Sequence, residues 1–291
     1  MDASPGKALR DLVEDSTIQV PGAPSALMAR LIERMDYDAV YLSGAALAAG
    51  VLGLPDAGLF TLTELTQQTA YITRNIELPV IVDADTGFGE GMMIERTVAE
   101  LEAAGAAAIQ LDDQRTPRRT SHISQTHLIT PEAMCAKLHS ACEARWDDDL
   151  VILARTDACR AEGFDGAVLR AQQYLAAGAD WIFPEALATR EQFAQFADRV
   201  DAPLVANMTE FGQSPLLSLK ELADMGYAAV IYPLTLLRVA MKAAEAALAI
   251  LAEEGTQKDV LDLMQTREEL EQLLDYPELE QQDQASFSGE N

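Results

Sequence analysis

Eight short runs rich in β-branched and apolar residues alternate with longer segments of helical period, and this alternation constrains the fold more than any other feature of the chain. The runs are Thr17–Val20, Ala39–Ser43, Val80–Asp85, Ala107–Asp112, Leu150–Thr156, Asp180–Pro184, Pro203–Met208 and Ala228–Tyr232. Between them lie Ser25–Met35, Thr63–Asn75, Met92–Ala104, Pro131–Ala144, Gly166–Ala176, Thr189–Ala197 and Ser218–Met225. Strands separated by crossover-length helices pair in parallel. Eight such units predict an α/β fold of the (β/α)8 TIM-barrel type. The alternative, an open doubly wound sheet, calls for a glycine-rich phosphate loop after the first strand, and Val20–Leu27 carries none.

The 291 residues suffice for one barrel, which is about 250 residues in typical cases. A catalytic domain is expected over residues 1–254, with a C-terminal helical extension and polar tail over 255–291. The stretches Leu236–Ala252 and Thr256–Leu274 hold more helix than one barrel needs and are expected to pack on a neighbouring subunit, while Glu278–Asn291 reads as a frayed tail.

With 47 acidic against 21 basic residues the formal net charge is −26, which repels nucleic acid and anionic membranes. Lysine is confined to Lys7, Lys137, Lys220, Lys242 and Lys258. That balance fits a halophilic surface, and equally an ordinary acidic protein. No apolar run is long enough to span a bilayer, and Met1–Leu12 is too polar for a secretory signal. Three cysteines (Cys135, Cys142 and Cys159) with no CxxC spacing point to a reducing, cytoplasmic setting.

Barrel chemistry sits at the C-terminal ends of the strands, and here polar groups collect there. The ends read Tyr41-Leu42-Ser43-Gly44, Asp83-Ala84-Asp85, Asp112-Asp113-Gln114, Arg155-Thr156-Asp157, Pro184-Glu185, Asn207-Met208-Thr209-Glu210 and Tyr232-Pro233. Alternation puts Asp83 and Asp85 on one strand face, where two carboxylates need a positive charge between them. A hard divalent ion with oxygen ligands meets that need: Mg²⁺ first, Mn²⁺ as an alternative, on Asp85 and Asp83, with Asp112 joining through water. The guanidinium fork of Arg155 suits a substrate carboxylate, or else a structural ion pair with Asp157 or Glu185. Ser43 and the N–H groups of Gly44 and Ala45 offer a second oxygen-binding edge. Tyr41 is either a proton carrier or a core tyrosine. The polar segment Arg115–Thr130, long enough to cover the site, carries His122 as a candidate catalytic group.

Taken together, Ser4–Lys7, Tyr41–Gly44 with Leu52–Asp56, Val82–Gly89, Asp112–Gln114, Ala154–Ala158, Phe183–Ala186, Asn207–Gly212 and Tyr232–Leu234 resemble the isocitrate lyase / phosphoenolpyruvate mutase superfamily, in particular its methylisocitrate lyase branch. Gly255–Gln257 and Met264–Arg267 extend the resemblance into the C-terminal region. It implies a barrel whose last helix is swapped between subunits, in a homotetramer built from dimers. It also implies Mg²⁺ at Asp85, and a 2-oxo acid held by Ser43, Gly44 and Arg155. The far carboxylates fall to the lid, Asn207, Thr209 and Arg238, with Glu185 nearby. The reaction implied is cleavage of a 2-methylisocitrate-like tricarboxylate into pyruvate or glyoxylate and succinate, as in propionate metabolism. The lid departs from the family pattern Lys-(Lys/Arg)-Cys-Gly-His: it reads Arg118-Arg119-Thr120-Ser121-His122, with Thr120 in place of the proton-donating cysteine. Asp112 likewise shortens a metal-side glutamate. Oxaloacetate decarboxylation or hydrolysis, phosphonopyruvate hydrolysis, and non-catalytic oxo-acid binding stay open as alternatives.

Overall fold

The computed structural model describes residues 3–116, 118 and 127–288. All eight expected strands form: β1 Ile18–Pro21, β2 Val40–Leu42, β3 Val80–Asp83, β4 Ala108–Asp112, β5 Val151–Thr156, β6 Trp181–Pro184, β7 Val205–Asn207 and β8 Ala229–Tyr232. Every pairing is parallel, in the orders β2-β3-β4-β5-β6 and β1-β8-β7. Single parallel bridges, Gly22 to Tyr41 and Ile182 to Leu204, link the two sheets at both edges, so neighbours in sequence are neighbours in space around the ring.

Period-two alternation sorts the strand side chains into two layers. Val40, Leu42, Val82, Ile109, Leu111, Ile152, Ala154 and Ile182 pack with the helices in an outer cluster. Ala39, Tyr41, Ile81, Ala108, Val151, Leu153, Trp181, Phe183, Val205 and Ile231 pack with one another in an inner one. Following the inner parity toward the strand ends leads to Asp83, Gln110, Asp112, Arg155 and Asn207. The same alternation that builds the core thereby aims polar side chains at one rim.

Most expected helices are present within about two residues, with their starts set by side-chain caps. Ser25, Thr61, Thr130, Thr189 and Ser218 each accept a backbone N–H of the first turn, and Thr61 with Glu64 and Ser218 with Glu221 form reciprocal capping boxes. Four features depart from expectation. A helix at Pro5–Asp15, capped by Ser4, sends Leu9 into the inner cluster. A short helix, Gly44–Leu47, runs into a π-helical turn, Ala48–Leu52, directly after β2. The stretch expected as one helix over Thr256–Leu274 divides into a 3₁₀ segment, Lys258–Leu263, and a helix, Arg267–Leu273, because Thr266 and Glu269 form a capping box that starts helix anew. The supposed frayed tail is helical over Tyr276–Ser288, where a first-turn proline and a run of Glu and Gln favour helix. The long helix Thr235–Glu254 buries none of its residues and exposes Val239, Met241 and Leu248.

The junction between the ends of β1 and β8 depends on Gly22. Its N–H donates to the Tyr232 carbonyl at 3.0 Å, and a Cβ there would lie 2.3 Å from the Pro233 carbonyl oxygen. Backbone cannot yield cheaply to that clash. Gly22→Ala is expected to lower unfolding free energy by about 1–3 kcal/mol, measured by urea denaturation; an unchanged midpoint would show that the junction does not depend on this close approach.

Candidate active site

A cavity of about 420 Å³ opens at the C-terminal ends of the strands. Tyr41, Ser43, Ala45, Asp83, Arg155, Glu185, Asn207, Thr209 and Arg238, all singled out from sequence, line it together. Asp85 and Asp112 lie buried beside it. Register explains the convergence: Asp83 stands opposite Gln110, Asp112 opposite Arg155, and Arg155 opposite Phe183 across successive strands.

The acid cluster is arranged differently from the sequence expectation. β3 ends at Asp83, and Asp85 has a left-handed φ of +48°, so the two carboxylates do not share an extended strand face. A turn brings them together instead. The Asp85 N–H donates to Asp83 Oδ1 at 3.1 Å, and the Asp85 carbonyl accepts from Asp112 N at 2.8 Å. Gly87 at φ +86° completes the turn where a Cβ would strike Ile94, and Lys137, buried, donates to the Thr86 carbonyl at 2.7 Å. Asp83 also accepts from Gly44 N at 3.2 Å and Gln110 Nε2 at 3.0 Å. Gly44 eases this approach, since a Cβ there would sit 3.1 Å from Asp85 Oδ1 and 3.3 Å from Asp83 Oδ2 and one of them would have to shift.

The positive charge demanded by this cluster is Arg118. Its Nη1 donates to Asp85 Oδ1 at 2.8 Å and to Asp56 Oδ1 at 2.9 Å, and its Nε lies 2.9 Å from Asp112 Oδ2. Among the described residues no group of three or more His, Cys, Asp or Glu side chains is arranged to ligate a metal. Asp83, Asp85 and Asp112 are therefore gathered at one rim, but not as the ready-made ligand set expected of them. The electrostatic premise holds, because buried carboxylates do need a partner. A guanidinium, rather than only an ion, can be that partner. Two acceptors lack a hydrogen bond among the described residues: Asp85 Oδ2, and Asp112 Oδ2, which Arg118 Nε approaches only as an ion pair.

Arg155 makes the ion pair that competed with its functional reading. Nε and Nη2 donate to the two Asp157 oxygens at 3.0 and 3.1 Å, Nη2 lies 3.7 Å from Glu185 Oε2, and the guanidinium stacks over Phe183 at 5.0 Å. The pairing orients the group without removing it from the cavity wall. Behind it, Asp113 accepts from Thr156 Oγ1, Asp157 N, Tyr174 Oη and Arg170 Nη1, tying the ends of β4 and β5 together. Arg238 Nη1 donates to the Glu210 carbonyl and side chain, both at 2.7 Å, and Asn207 Nδ2 donates at 3.1 Å to Glu185 Oε2, the oxygen that Arg155 also approaches. Ser43 caps the helix that follows it by accepting from Ala46 N at 3.3 Å, and the Gly44 N–H is engaged by Asp83 rather than open to a ligand. Tyr41 is a buried phenol donating to Gln110 Oε1 at 2.8 Å. Thr120 and His122 lie outside the described residues. The segment that bears them starts from a pinned base, where Gln114 bridges Leu128 and Arg115 N donates to the His127 carbonyl.

Residues 9–252 match the phosphoenolpyruvate phosphomutase family. The chain belongs to this phosphoenolpyruvate mutase / isocitrate lyase superfamily. A 2-methylisocitrate lyase of Aeropyrum pernix is 52% identical over 280 residues, covering 96% of this chain and 90% of its own length. The crystal structure of 2,3-dimethylmalate lyase, described as a member of the same superfamily, superposes with a TM-score of 0.91 at 31% identity, covering 98% of this chain and 96% of its own. A phosphonopyruvate hydrolase solved with oxalate and Mg²⁺ matches with a TM-score of 0.87 at 27% identity, over 96% of this chain and 97% of its own.

Within the superfamily's rim, the residues that sequence reasoning overlooked are Arg118, Asp56 and Gln110. Arg118 was visible only as one of several basic residues in a loop, and nothing local marks its reach into the acid cluster. Gln110 had a legible signal, since its strand parity matches Asp112. Asp56 lay within a recognised motif but in an irregular segment whose direction the sequence does not give.

Burial dominates the titration of the superfamily-type acid cluster. It raises Asp85 well above the carboxylate range despite Arg118, and raises Asp112 to about 6, again opposed by Arg118. Burial and then Asp83 hold Tyr41 in its neutral form. Burial also works against the charge of Asp157, but Arg155 outweighs it and keeps that carboxyl below its usual range. Folded protein therefore binds a proton at Asp112 more tightly than the unfolded chain does. The stabilisation is full below about pH 4 and is lost as pH rises through about 6. Melting curves in chelator are expected to show wild type losing up to about 3 kcal/mol more than Asp112→Asn between about pH 4 and 7; parallel profiles would refute the assignment.

Proposed function

We propose that this chain is a carbon–carbon lyase cleaving 2-methylisocitrate, or a closely similar 2-hydroxy tricarboxylate, to pyruvate and succinate. The observation that carries this is the 52% identity to a 2-methylisocitrate lyase across nearly the whole chain. The cavity supports it: Arg118, Arg155 and Arg238 all line it, and several guanidinium groups suit an acid with more than one carboxylate.

The donor set fits a divalent ion. The groups are hard oxygens, they are in excess over positive charge, and Asp85 Oδ2 is buried without a partner. Asp85, with Asp83 and Asp112 beside it, would hold Mg²⁺, which when bound supplies positive charge to stabilise the developing 2-oxo acid. The chain's own side chains do the rest. Arg155, fixed in orientation by Asp157, takes the carboxylate next to the 2-hydroxyl. Arg238 and Asn207, with Thr209, take the succinate end. The 2-hydroxyl loses its proton, the adjacent C–C bond breaks, and the carbanion-like succinate half takes up a proton. Tyr41, a neutral phenol on Gln110, keeps its proton and positions that end of the wall.

A second reading rests on the proton donor. No cysteine lines the cavity among the described residues, and Thr120 stands where the family's lid cysteine belongs. A threonine hydroxyl is far weaker as an acid than a thiol. Hydrolysis or decarboxylation of oxaloacetate, or hydrolysis of phosphonopyruvate, would not need that thiol.

A panel of 2-methylisocitrate, isocitrate, dimethylmalate, oxaloacetate and phosphonopyruvate with Mg²⁺ separates the two. The lyase reading expects pyruvate and succinate in equal amounts from the first, and turnover of oxaloacetate alone would defeat it. Arg155→Lys is expected to lower kcat/KM by about a hundredfold, since a point charge replaces a bidentate fork; unchanged kinetics would remove Arg155 from substrate binding.

A second copy of the chain against the exposed face of Thr235–Glu254 fits the apolar residues there, including Val239, Met241 and Leu248. Light scattering is expected to give a dimer or tetramer, and a monomer at micromolar concentration would overturn this assembly. A cytoplasmic setting fits the three unpaired cysteines.

A further inference from the structure

We propose that Arg118 is a built-in counter-cation that competes with the divalent ion for the carboxylate cluster, so that metal binding requires its guanidinium to leave. The inference rests on the proposal above that this cluster binds Mg²⁺, and it concerns what stands in the ion's way.

Three observations carry it. First, one guanidinium touches carboxylates from three separate segments, Asp56 after β2, Asp85 after β3 and Asp112 at the end of β4, at 2.8–2.9 Å. Asp85 and Asp112 are the carboxylates a hard cation would use, so the two positive groups claim the same side chains. Second, Arg118 is only 7% exposed and Asp112 is wholly buried. In such surroundings charge is weakly screened, and two cations cannot share the acceptors without strong repulsion. Third, the guanidinium does not saturate the cluster. Asp85 Oδ2 has no partner among the described residues, and the contact between Arg118 Nε and Asp112 Oδ2 is an ion pair without hydrogen-bond alignment, both atoms being buried and unsatisfied. An arginine shaped for this seat alone would leave neither.

The displaced group has a place to go. Arg118 lines the same cavity as Arg155, so a guanidinium expelled from the acid cluster turns toward the position of a bound carboxylate. Metal loading and a second substrate-binding arginine thereby become one event. Ordered binding, ion first and acid second, follows from that coupling. Competition lowers apparent ion affinity by the fraction of molecules in which Arg118 still occupies the seat.

Calorimetric titration of Mg²⁺, without substrate, tests this in wild type, Arg118→Gln and Arg118→Lys. Removing the competitor is expected to tighten Mg²⁺ binding at least tenfold in Arg118→Gln, with Arg118→Lys in between because one ammonium spans fewer carboxylates. In chelator, Arg118→Gln is expected to melt below wild type, and to recover more on adding Mg²⁺ than wild type does. If Arg118→Gln is too unstable to titrate, Arg118→Lys decides: tighter binding than wild type supports the competition. Equal or weaker Mg²⁺ affinity in the variants overturns the competition while leaving the metal-dependent lyase intact. Absence of Mg²⁺ binding in all three overturns both.

Discussion

Burying several carboxylates at one rim is the constraint around which the rest of this molecule is organised. Asp83, Asp85, Asp112, Asp113 and Asp157 are each almost fully removed from solvent. Charges in that position are tolerable only when opposite charge and oriented N–H groups surround them. The chain meets the requirement with three arginines from three different places. Arg118 answers Asp56, Asp85 and Asp112, Arg155 answers Asp157, and Arg170 answers Asp113. Backbone turns add the remainder, through the N–H groups of Gly44, Asp85 and Asp157.

These pairings separate into a supporting layer and a working layer. Asp113 with Thr156, Tyr174 and Arg170 is enclosed and saturated, and it holds the β4 and β5 ends in register. The cavity-facing layer is incompletely satisfied. Asn207 Oδ1, on the cavity wall, and Asp85 Oδ2, in the acid cluster, are buried without partners among the described residues. Unsatisfied acceptors cost stability wherever they occur.

The lid sequence and Asp112 depart from the family pattern that the sequence resembles. Arginine at position 118 replaces a lysine, and its planar fork reaches several carboxylates where an ammonium is a single point. Threonine at 120 removes the thiol acid. Both changes fall in one short segment, and Asp112 at the end of β4 is a further departure from the pattern.

Much of the architecture was legible because it follows from periodicity. Eight short apolar runs separated by helical segments admit few folds, and their C-terminal ends already placed Tyr41, Asp83, Asp112, Arg155 and Asn207 at one rim. The Thr235–Glu254 helix was legible too, but the Thr266 capping box that splits the following stretch was read through. Loop geometry was not legible. That Asp85 reaches the cluster through a left-handed turn, that Gly44 spends its N–H on Asp83, and that Arg155 is clamped by Asp157 are contacts between segments far apart in sequence or bent by local backbone conformation. The need for a positive charge among the acids was determined by the sequence alone, since like charges on adjacent strand ends repel in any barrel. Which positive charge stands there was decided only by the tertiary structure, because the path of the loop that delivers Arg118 has no period to read and depends on the seat the three carboxylates form.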